Sequence, residues 1–443
     1  MSLEIISACA GAGKTSSLSK VIKDAFFKKK LNYKKIYVLT YTNNAVFVIK
    51  KKLIEEFKII PKDIVVETIH KYFLDEIIYP YSYDILGINY DFCINKSLNY
   101  MERNKLKKYF DSKGIILSSC VINTAKKIIV SSNSSTLRMK QIQNNLLSII
   151  LAKTEEIFID EVQDMEKDFF EIIDRFINAN LKIYMVGDYR QAIKYPNIFF
   201  EFMKKNITNV KEKNDSYRVP INHLKLVNSV FQNYMEMNSI NKTTCGQVYY
   251  LFEDEIDNSF FDEKLCYIRE KNDSYSTNKS KKANKYKFDD YILESLEKTY
   301  GKNKSLCATI ASNKLDELLN EYDLKETINN FFLYFKINYK KESYRLLINQ
   351  LEAKNNSIKT GINVNSIDSV KGLENENCVF ILDNAMAKCL VKGIGETKTK
   401  CQLYVSLTRS SDKLYLIFLN KITDVTRSEI ELFMIANNVV KFK

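Results

Sequence analysis

Residues 8–15 read Ala8-Cys9-Ala10-Gly11-Ala12-Gly13-Lys14-Thr15. The stretch follows the short apolar run Glu4-Ile5-Ile6-Ser7, which predicts a strand. It opens a helical pattern from about Thr15 to Phe27, with Leu18, Val21, Ile22, Ala25 and Phe26 on one face. A loop of small residues between a strand and a helix, closing on Gly-Lys-Thr, is a phosphate-binding loop. Small side chains let backbone N–H groups turn toward phosphate oxygens, and the helix N-terminus adds the positive end of its dipole. The expected nucleotide contacts are Ala10, Gly11, Ala12, Gly13, Lys14, Thr15 and Ser16. Lys14 is expected at the β- and γ-phosphates and the Thr15 hydroxyl on Mg2+. Ala8 stands where the general pattern has its first Gly.

Outward from this loop, apolar runs at 35–40 and 64–66 predict strands, and 44–57 predicts the helix between them. Strands alternating with amphipathic helices imply an α/β fold with parallel sheets. From about 73 to 152 the pattern turns mostly helical (100–109, 121–129 and 141–151), which reads as an insertion. Strands resume at 156–159 and 182–186, with a helix at 169–176. A second domain is expected over 211–443, after a first over 1–210. It holds a helix at 221–235 and a less ordered polar stretch at 253–290 centred on Lys279-Ser280-Lys281-Lys282, read as a solvated loop. A strand at 306–310, a helix at 314–322 and strands at 362–367, 379–382 and 414–419 complete the pattern.

A chain of 443 residues has room for two to four domains. With 45% hydrophobic and 27% charged residues it can bury a sizeable core and is not disordered overall. Eleven Gly and four Pro exclude collagen-like and Pro-rich architectures. No apolar run reaches about 18 residues, so no membrane span is expected, and Met1-Ser2-Leu3-Glu4 does not open a secretory signal. Nine cysteines without CxxC spacing point to a reducing, cytoplasmic compartment rather than a disulfide or zinc framework. The +13 net charge suits a polyanionic partner. The abundance of Lys, Asn, Ile and Tyr is equally what AT-rich coding produces, so charge supports a site-based reading without starting one.

The second chemical signal is Ile157-Phe158-Ile159-Asp160-Glu161-Val162-Gln163-Asp164. A strand that delivers adjacent acids at its C-terminal end suits nucleoside triphosphate hydrolysis. Asp160 is expected to hold Mg2+ and Glu161 to orient or deprotonate the attacking water. ATP and Mg2+ are therefore the expected cofactors.

Further stretches follow in a fixed order: 39–45 (Leu-Thr-Tyr-Thr-Asn-Asn-Ala), 68–72 (Thr-Ile-His-Lys-Tyr), 187–193 (Gly-Asp-Tyr-Arg-Gln-Ala-Ile), Ser216-Tyr217-Arg218, 366–374 (Ser-Ile-Asp-Ser-Val-Lys-Gly-Leu-Glu) and 404–409 (Tyr-Val-Ser-Leu-Thr-Arg). With the phosphate loop and the acidic motif they resemble, from Ser7 to about Ser411, the motifs of UvrD/Rep-like superfamily 1 helicases. The resemblance implies two RecA-like domains with ATP in the cleft between them. It implies Arg218 and Arg409 as arginine fingers, Gln191 as a γ-phosphate sensor, Tyr217 stacked on the base and Glu374 on the ribose. It places Tyr41, Thr42, Asn43, Thr68, His70 and Tyr195 at the nucleic acid, with 3′-to-5′ movement on single-stranded DNA, RNA not being excluded.

Several positions depart from the family. No glutamine motif for the adenine edge precedes Ala8, Tyr195 stands in for the usual Tyr and Trp after the third motif, and Asp368 replaces a histidine. The insertion of the second domain is expected to be reduced, to about 323–361. Compact relatives also act beside a nuclease partner in anti-phage systems such as Gabija, which the resemblance admits as a context. An alternative function is a nucleic-acid-sensing ATPase subunit without processive unwinding. A P-loop kinase leaves Gln191, Arg218 and Arg409 without a role.

Overall fold

The computed structural model describes residues 2–29, 33–95, 100–132, 135–231, 236–241, 244–272, 274–277, 286–319, 321–355 and 362–442. In chain order its strands are β1 (Leu3–Ala8), β2 (Lys35–Thr40), β3 (Ile64–Thr68), β4 (Phe92–Ile94), β5 (Ile115–Leu117), β6 (Thr154–Ile159), β7 (Lys182–Gly187), β8 (Val210–Lys213) and β9 (Asp215–Ser216). They continue as β10 (Asn238–Ser239), β11 (Gln247–Phe252), β12 (Leu265–Ile268), β13 (Tyr275–Thr277), β14 (Ile362–Ser366), β15 (Asn375–Leu382), β16 (Ser410–Phe418) and β17 (Val440–Lys441).

Two compact units divide the chain. The first takes residues 1–68, 150–279 and 359–443 and holds both large sheets. One sheet has the order β3-β2-β6-β7-β1-β8, all neighbours parallel. Its central strands are apolar almost without a break: Ile36 to Leu39, Ile157 to Ile159 and Ile183 to Val186 are all buried. Such runs belong to parallel strands covered on both faces. Because neighbouring strands run the same way, β1, β6 and β7 deliver their C-terminal residues to one edge, where ligands of open α/β sheets bind. The helix α1 (Lys14–Lys28) follows β1 directly, and α2 (Asn43–Phe57) follows β2, its N-terminus capped by the Thr42 hydroxyl, which accepts from the Ala45 N–H at 3.2 Å.

The second sheet has the order β13-β14-β12-β15-β16-β11-β17, again parallel throughout. Its core is β15 against β16, where residues 378–382 and Leu414, Leu416, Ile417 and Phe418 are fully buried. Tyr267 of β12 stacks on Phe380 at 5.6 Å and donates a 2.6 Å hydrogen bond to the Ser406 carbonyl. The parallel sheets are what the α/β pattern implied, and they form the two RecA-like sheets that the resemblance implied.

The second unit combines residues 69–149 and 280–358. Its core mixes both segments: Ile94, Phe110, Ile115 and Leu117 pack with Ile292, Leu315, Phe331 and Leu347. It is mostly helical, with the small parallel pair β4–β5.

Several expected elements differ. Residues 306–310 are not a strand; they lie in the helix Lys304–Leu319. Leu306, Cys307, Ile310 and Ala311 look strand-like in isolation, but with Leu315 and Leu318 they repeat at helical spacing and are buried together. The second-half contribution to the helical unit thus runs over 280–358, longer than the 323–361 expected. The stretch 253–290 contains β12, an inner strand of its sheet, whose four residues are too short for periodicity to register. The first sheet extends past 210, since β8 pairs with β1. The helix from Ile221 is assigned to Val230, and residues 232–235 and Lys279-Ser280-Lys281-Lys282 lie outside the described residues. Among the described residues no helix is long and apolar enough to cross a membrane.

Phe380→Ala removes a fully buried ring between β12 and β16 and should cost about 3–5 kcal/mol of stability. A lowered denaturant midpoint, followed by intrinsic fluorescence or circular dichroism, checks it.

Candidate functional site

The glycines of the phosphate loop hold conformations that other residues rarely adopt: Gly11 has φ +75° and Gly13, the N-cap of α1, φ +68°. A Cβ on Gly11 would lie 2.5 Å from Ser216 Oγ and 2.7 Å from Arg218 Cβ, so the loop tolerates no side chain there. The Ser216 hydroxyl donates to the Ala10 carbonyl at 2.8 Å, and the Tyr217 N–H donates to the Gly11 carbonyl at 3.0 Å. Residues 216–218 are therefore fastened to the loop by its own backbone. The exposed Tyr217 ring would be 3.9 Å from a Cβ on Gly13. Lys14 Nζ reaches the Ala8 carbonyl at 3.4 Å, and the Thr15 hydroxyl reaches Asp160 Oδ2 at 3.4 Å.

Asp160 follows the C-terminal end of β6 and is buried; Glu161 comes next with φ +54°, an uncommon backbone state for a non-glycine residue. That turn lets the Glu161 N–H donate to Asp160 Oδ1 at 2.9 Å. Gln163 donates its side-chain amide to the Glu161 carboxylate and accepts from the Asp188 N–H at 3.1 Å. Burial and the neighbouring Glu161 push the Asp160 carboxyl up to about 7, against the pull of Lys14. Burial also acts to raise Glu161, but Lys14, Lys371, Gln163 and Arg409 outweigh it and hold that carboxyl below its usual range. Adjacent acids whose environments push them apart suit different tasks.

Asp188, fully buried at the end of β7, is the meeting point. Its Oδ1 accepts from Arg190 Nε at 2.9 Å, and its Oδ2 accepts from Gln191 Nε2 at 2.9 Å and from the Tyr404 hydroxyl at 3.1 Å. The same Tyr404 oxygen accepts from the Ala10 N–H at 3.1 Å. Tyr404 belongs to the helix Thr397–Leu407, so a residue of the second half holds a backbone amide of the phosphate loop.

Arg409 follows that helix and is 1% exposed. Its hydrogen bonds all go to neutral acceptors: the carbonyls of Val405 at 3.0 Å and Leu373 at 3.4 Å, the Thr408 hydroxyl at 3.3 Å and Gln191 Oε1 at 3.5 Å. Burial and nearby Arg218 bring its guanidinium down to about 10. Arg218 pairs with the exposed Glu374 at 2.8 Å, while its buried Nε has no acceptor. Two guanidinium groups held near each other, one with only neutral partners, form a socket for an anion. Thr15 and Asp160 supply two oxygen donors fit for Mg2+, an ion that usually takes only one or two protein ligands beside phosphate and water. Among the described residues no group of three or more His, Cys, Asp or Glu forms a metal cage.

Of the residues expected at nucleic acid, Tyr41 and Tyr195 come together around Lys194. Its ammonium lies 4.1 Å from the Tyr41 ring centre and 5.7 Å from that of Tyr195, and bonds the Tyr41 hydroxyl. The Thr42 hydroxyl is occupied in capping α2, and the exposed Asn43 is the first residue of that helix. Thr68 ends β3 in register with Thr40 of β2. His70 falls in the second unit, in the helix Ile69–Phe73, where burial lowers its pKa. Asp188, Gln163, Tyr404 and Lys194 were not singled out from sequence, although all sit inside or beside the quoted motifs. Their signal is tertiary: each acts through a partner distant in the chain.

A family model described as an AAA domain matches residues 2–196, and one described as the viral superfamily 1 RNA helicase core domain matches residues 291–418. No curated protein matches the sequence. Among solved structures, the chain is similar to an arterivirus nonstructural protein 10, a helicase in complex with DNA, over 97% of its own length, at 12% identity and a TM-score of 0.37. It spans 63% of that protein's length. The family matches, with the two sheets, support a superfamily 1 helicase.

Gly11→Ala should cost more than about 1 kcal/mol, since it combines a left-handed backbone with a direct clash. A lower melting temperature together with weakened binding of a fluorescent nucleotide would check it.

Proposed function

We propose that this chain is an ATP- and Mg2+-dependent nucleic-acid translocase or helicase of the UvrD/Rep-like group, moving 3′-to-5′ on single-stranded DNA. The observation that carries the reading is Arg409: a fully buried guanidinium, hydrogen-bonded only to neutral groups and in reach of Gln191, waiting on the second half for negative charge. A buried cation whose hydrogen bonds all go to neutral groups is costly, so a site that keeps one suits an anion that arrives later.

In this reading the loop amides and Lys14 bind and orient the triphosphate. Thr15 and Asp160 would hold Mg2+, which when bound neutralises phosphate oxygens. Glu161, kept ionised by its cationic neighbours, orients the attacking water and accepts its proton on the carboxylate. Arg409 and Arg218 stabilise charge on the transferring phosphoryl group, Tyr217 stacks on the base, and Glu374, beside Arg218, meets the ribose. Gln191 touches both Arg409 and Asp188, so loss of the γ-phosphate would be felt at the tyrosine cluster three and four residues on, at Lys194 and Tyr195. Tyr41 and Tyr195 then serve as stacking platforms, the usual device for gripping single strands.

Lys14→Ala and Glu161→Gln should both abolish phosphate release, the second while still binding ATP. Arg409→Ala should lower kcat on the order of 10³-fold with a much smaller change in nucleotide affinity. Turnover measured with and without single-stranded DNA, duplex DNA and RNA tests the substrate, and strand displacement from a tailed duplex tests unwinding. Turnover that no nucleic acid stimulates would refute the translocase; stimulation without displacement favours a sensor ATPase, the reading to which the exposed carboxylate of Asp368 adds weight.

A further inference from the structure

Lys371, a cationic neighbour of Glu161, bridges the acidic turn and the segment that leads to Lys194 and Tyr195. It follows the short helix Ile367–Val370, between β14 and β15 of the second sheet. Its ammonium meets Asp164 Oδ1 at 2.5 Å and the Gln191 carbonyl at 3.0 Å, both in the first half. Both side chains of the ion pair are only 14% exposed, so water screens the contact weakly. Asp164 is three residues beyond Glu161, in the turn Val162–Asp164 that also carries Gln163, the residue bonded to the Glu161 carboxylate. Gln191 is tied at its side chain to Asp188 and Arg409 and at its backbone to Lys371. One ammonium thus holds both the turn behind the acidic pair and the segment that leads to Lys194 and Tyr195. Its charge is also felt at each end, lowering the pKa of Glu161 and of Lys194.

We propose that the Lys371–Asp164 ion pair is a positioning latch through which nucleic-acid occupancy at the Tyr41–Lys194–Tyr195 cluster sets the rate of hydrolysis at Glu161. The proposal rests on the hydrolase reading above and deepens it, by naming the contact that regulates that site. A strand bound at the cluster would fix the 191–195 segment. Lys371 would be fixed with it through the Gln191 carbonyl, and the turn carrying Asp164 and Gln163 would then hold Glu161 in its working orientation. Without a strand the latch keeps the two halves in register but leaves this turn less constrained.

Three variants test it in the full-length chain: Lys371→Met, Asp164→Asn, and the exchanged pair Lys371→Asp with Asp164→Lys. Each single change should reduce single-stranded-DNA-stimulated kcat about tenfold while leaving KM for ATP within about twofold, the split expected of a group that orients rather than binds. The exchanged pair should recover part of the stimulation, which a purely structural role would not give. Stimulated kcat equal to wild type in both single variants, or a loss confined to KM, overturns the latch. Melting temperatures supply a readout independent of turnover: the shifts of Lys371→Met and Asp164→Asn should not add in the double variant Lys371→Met with Asp164→Asn, because both remove one contact. Additive shifts would also overturn it. A wild-type chain that hydrolyses no ATP would sink the hydrolase reading and the regulatory role together, whereas failure of the single variants to lose stimulation in an active enzyme sinks the latch alone.

Discussion

A buried carboxylate is costly unless every oxygen finds a donor, and Asp188 meets that demand by recruiting from three directions. Arg190 and Gln191 come from its own turn, and the Tyr404 hydroxyl comes from a helix more than 200 residues later. Burial would raise its pKa, but Arg190 and Lys14 hold it below the ordinary range, so it stays charged. Because Tyr404 also takes the Ala10 N–H, satisfying Asp188 ties the phosphate loop, the Gln191 side chain and the helix Thr397–Leu407 together. Gly187 makes the contact feasible, since a Cβ there would stand 2.7 Å from Gln163 Oε1.

The cationic groups obey the opposite logic. Lys14 touches only a carbonyl at 3.4 Å, Arg409 only neutral acceptors, and Arg218 leaves a buried Nε without a partner. Around the phosphate loop, Asp188 thus has donors on both oxygens, whereas Arg409 and the Arg218 Nε have, among the described residues, no carboxylate hydrogen-bonded to them. Lys371 is matched with a carboxylate, that of Asp164 in the turn just beyond the acidic pair.

Much of this was legible in the chain. The strand, loop and helix around Lys14 follow from apolar periodicity and from glycines placed where the backbone must turn left-handed. Lys14, Thr15, Asp160, Glu161, Gln191, Arg218 and Arg409, each picked out from sequence, come together in one compact unit. What the sequence hid has physical causes. Residues 306–310 carry strand-like composition but helical periodicity over a longer window, and β12 is too short to show any period. Tyr404 and Lys371 lay inside quoted motifs, yet their roles depend on contacts across 180 to 394 positions of sequence, which no local pattern encodes.

The second unit has a consequence for biogenesis. Its core is woven from 69–149 and 280–358, while the first unit closes only with 359–443. During synthesis, neither core can be finished when the ribosome has made the first half, because Ile115 and Phe110 await Phe331 and Leu347, and β1's neighbourhood awaits Tyr404. Long-range closure of this kind is slow and exposes apolar surface meanwhile. A cut between the two sheets would leave the helical unit's core divided between the fragments, Ile115 and Phe110 in one and Phe331 and Leu347 in the other.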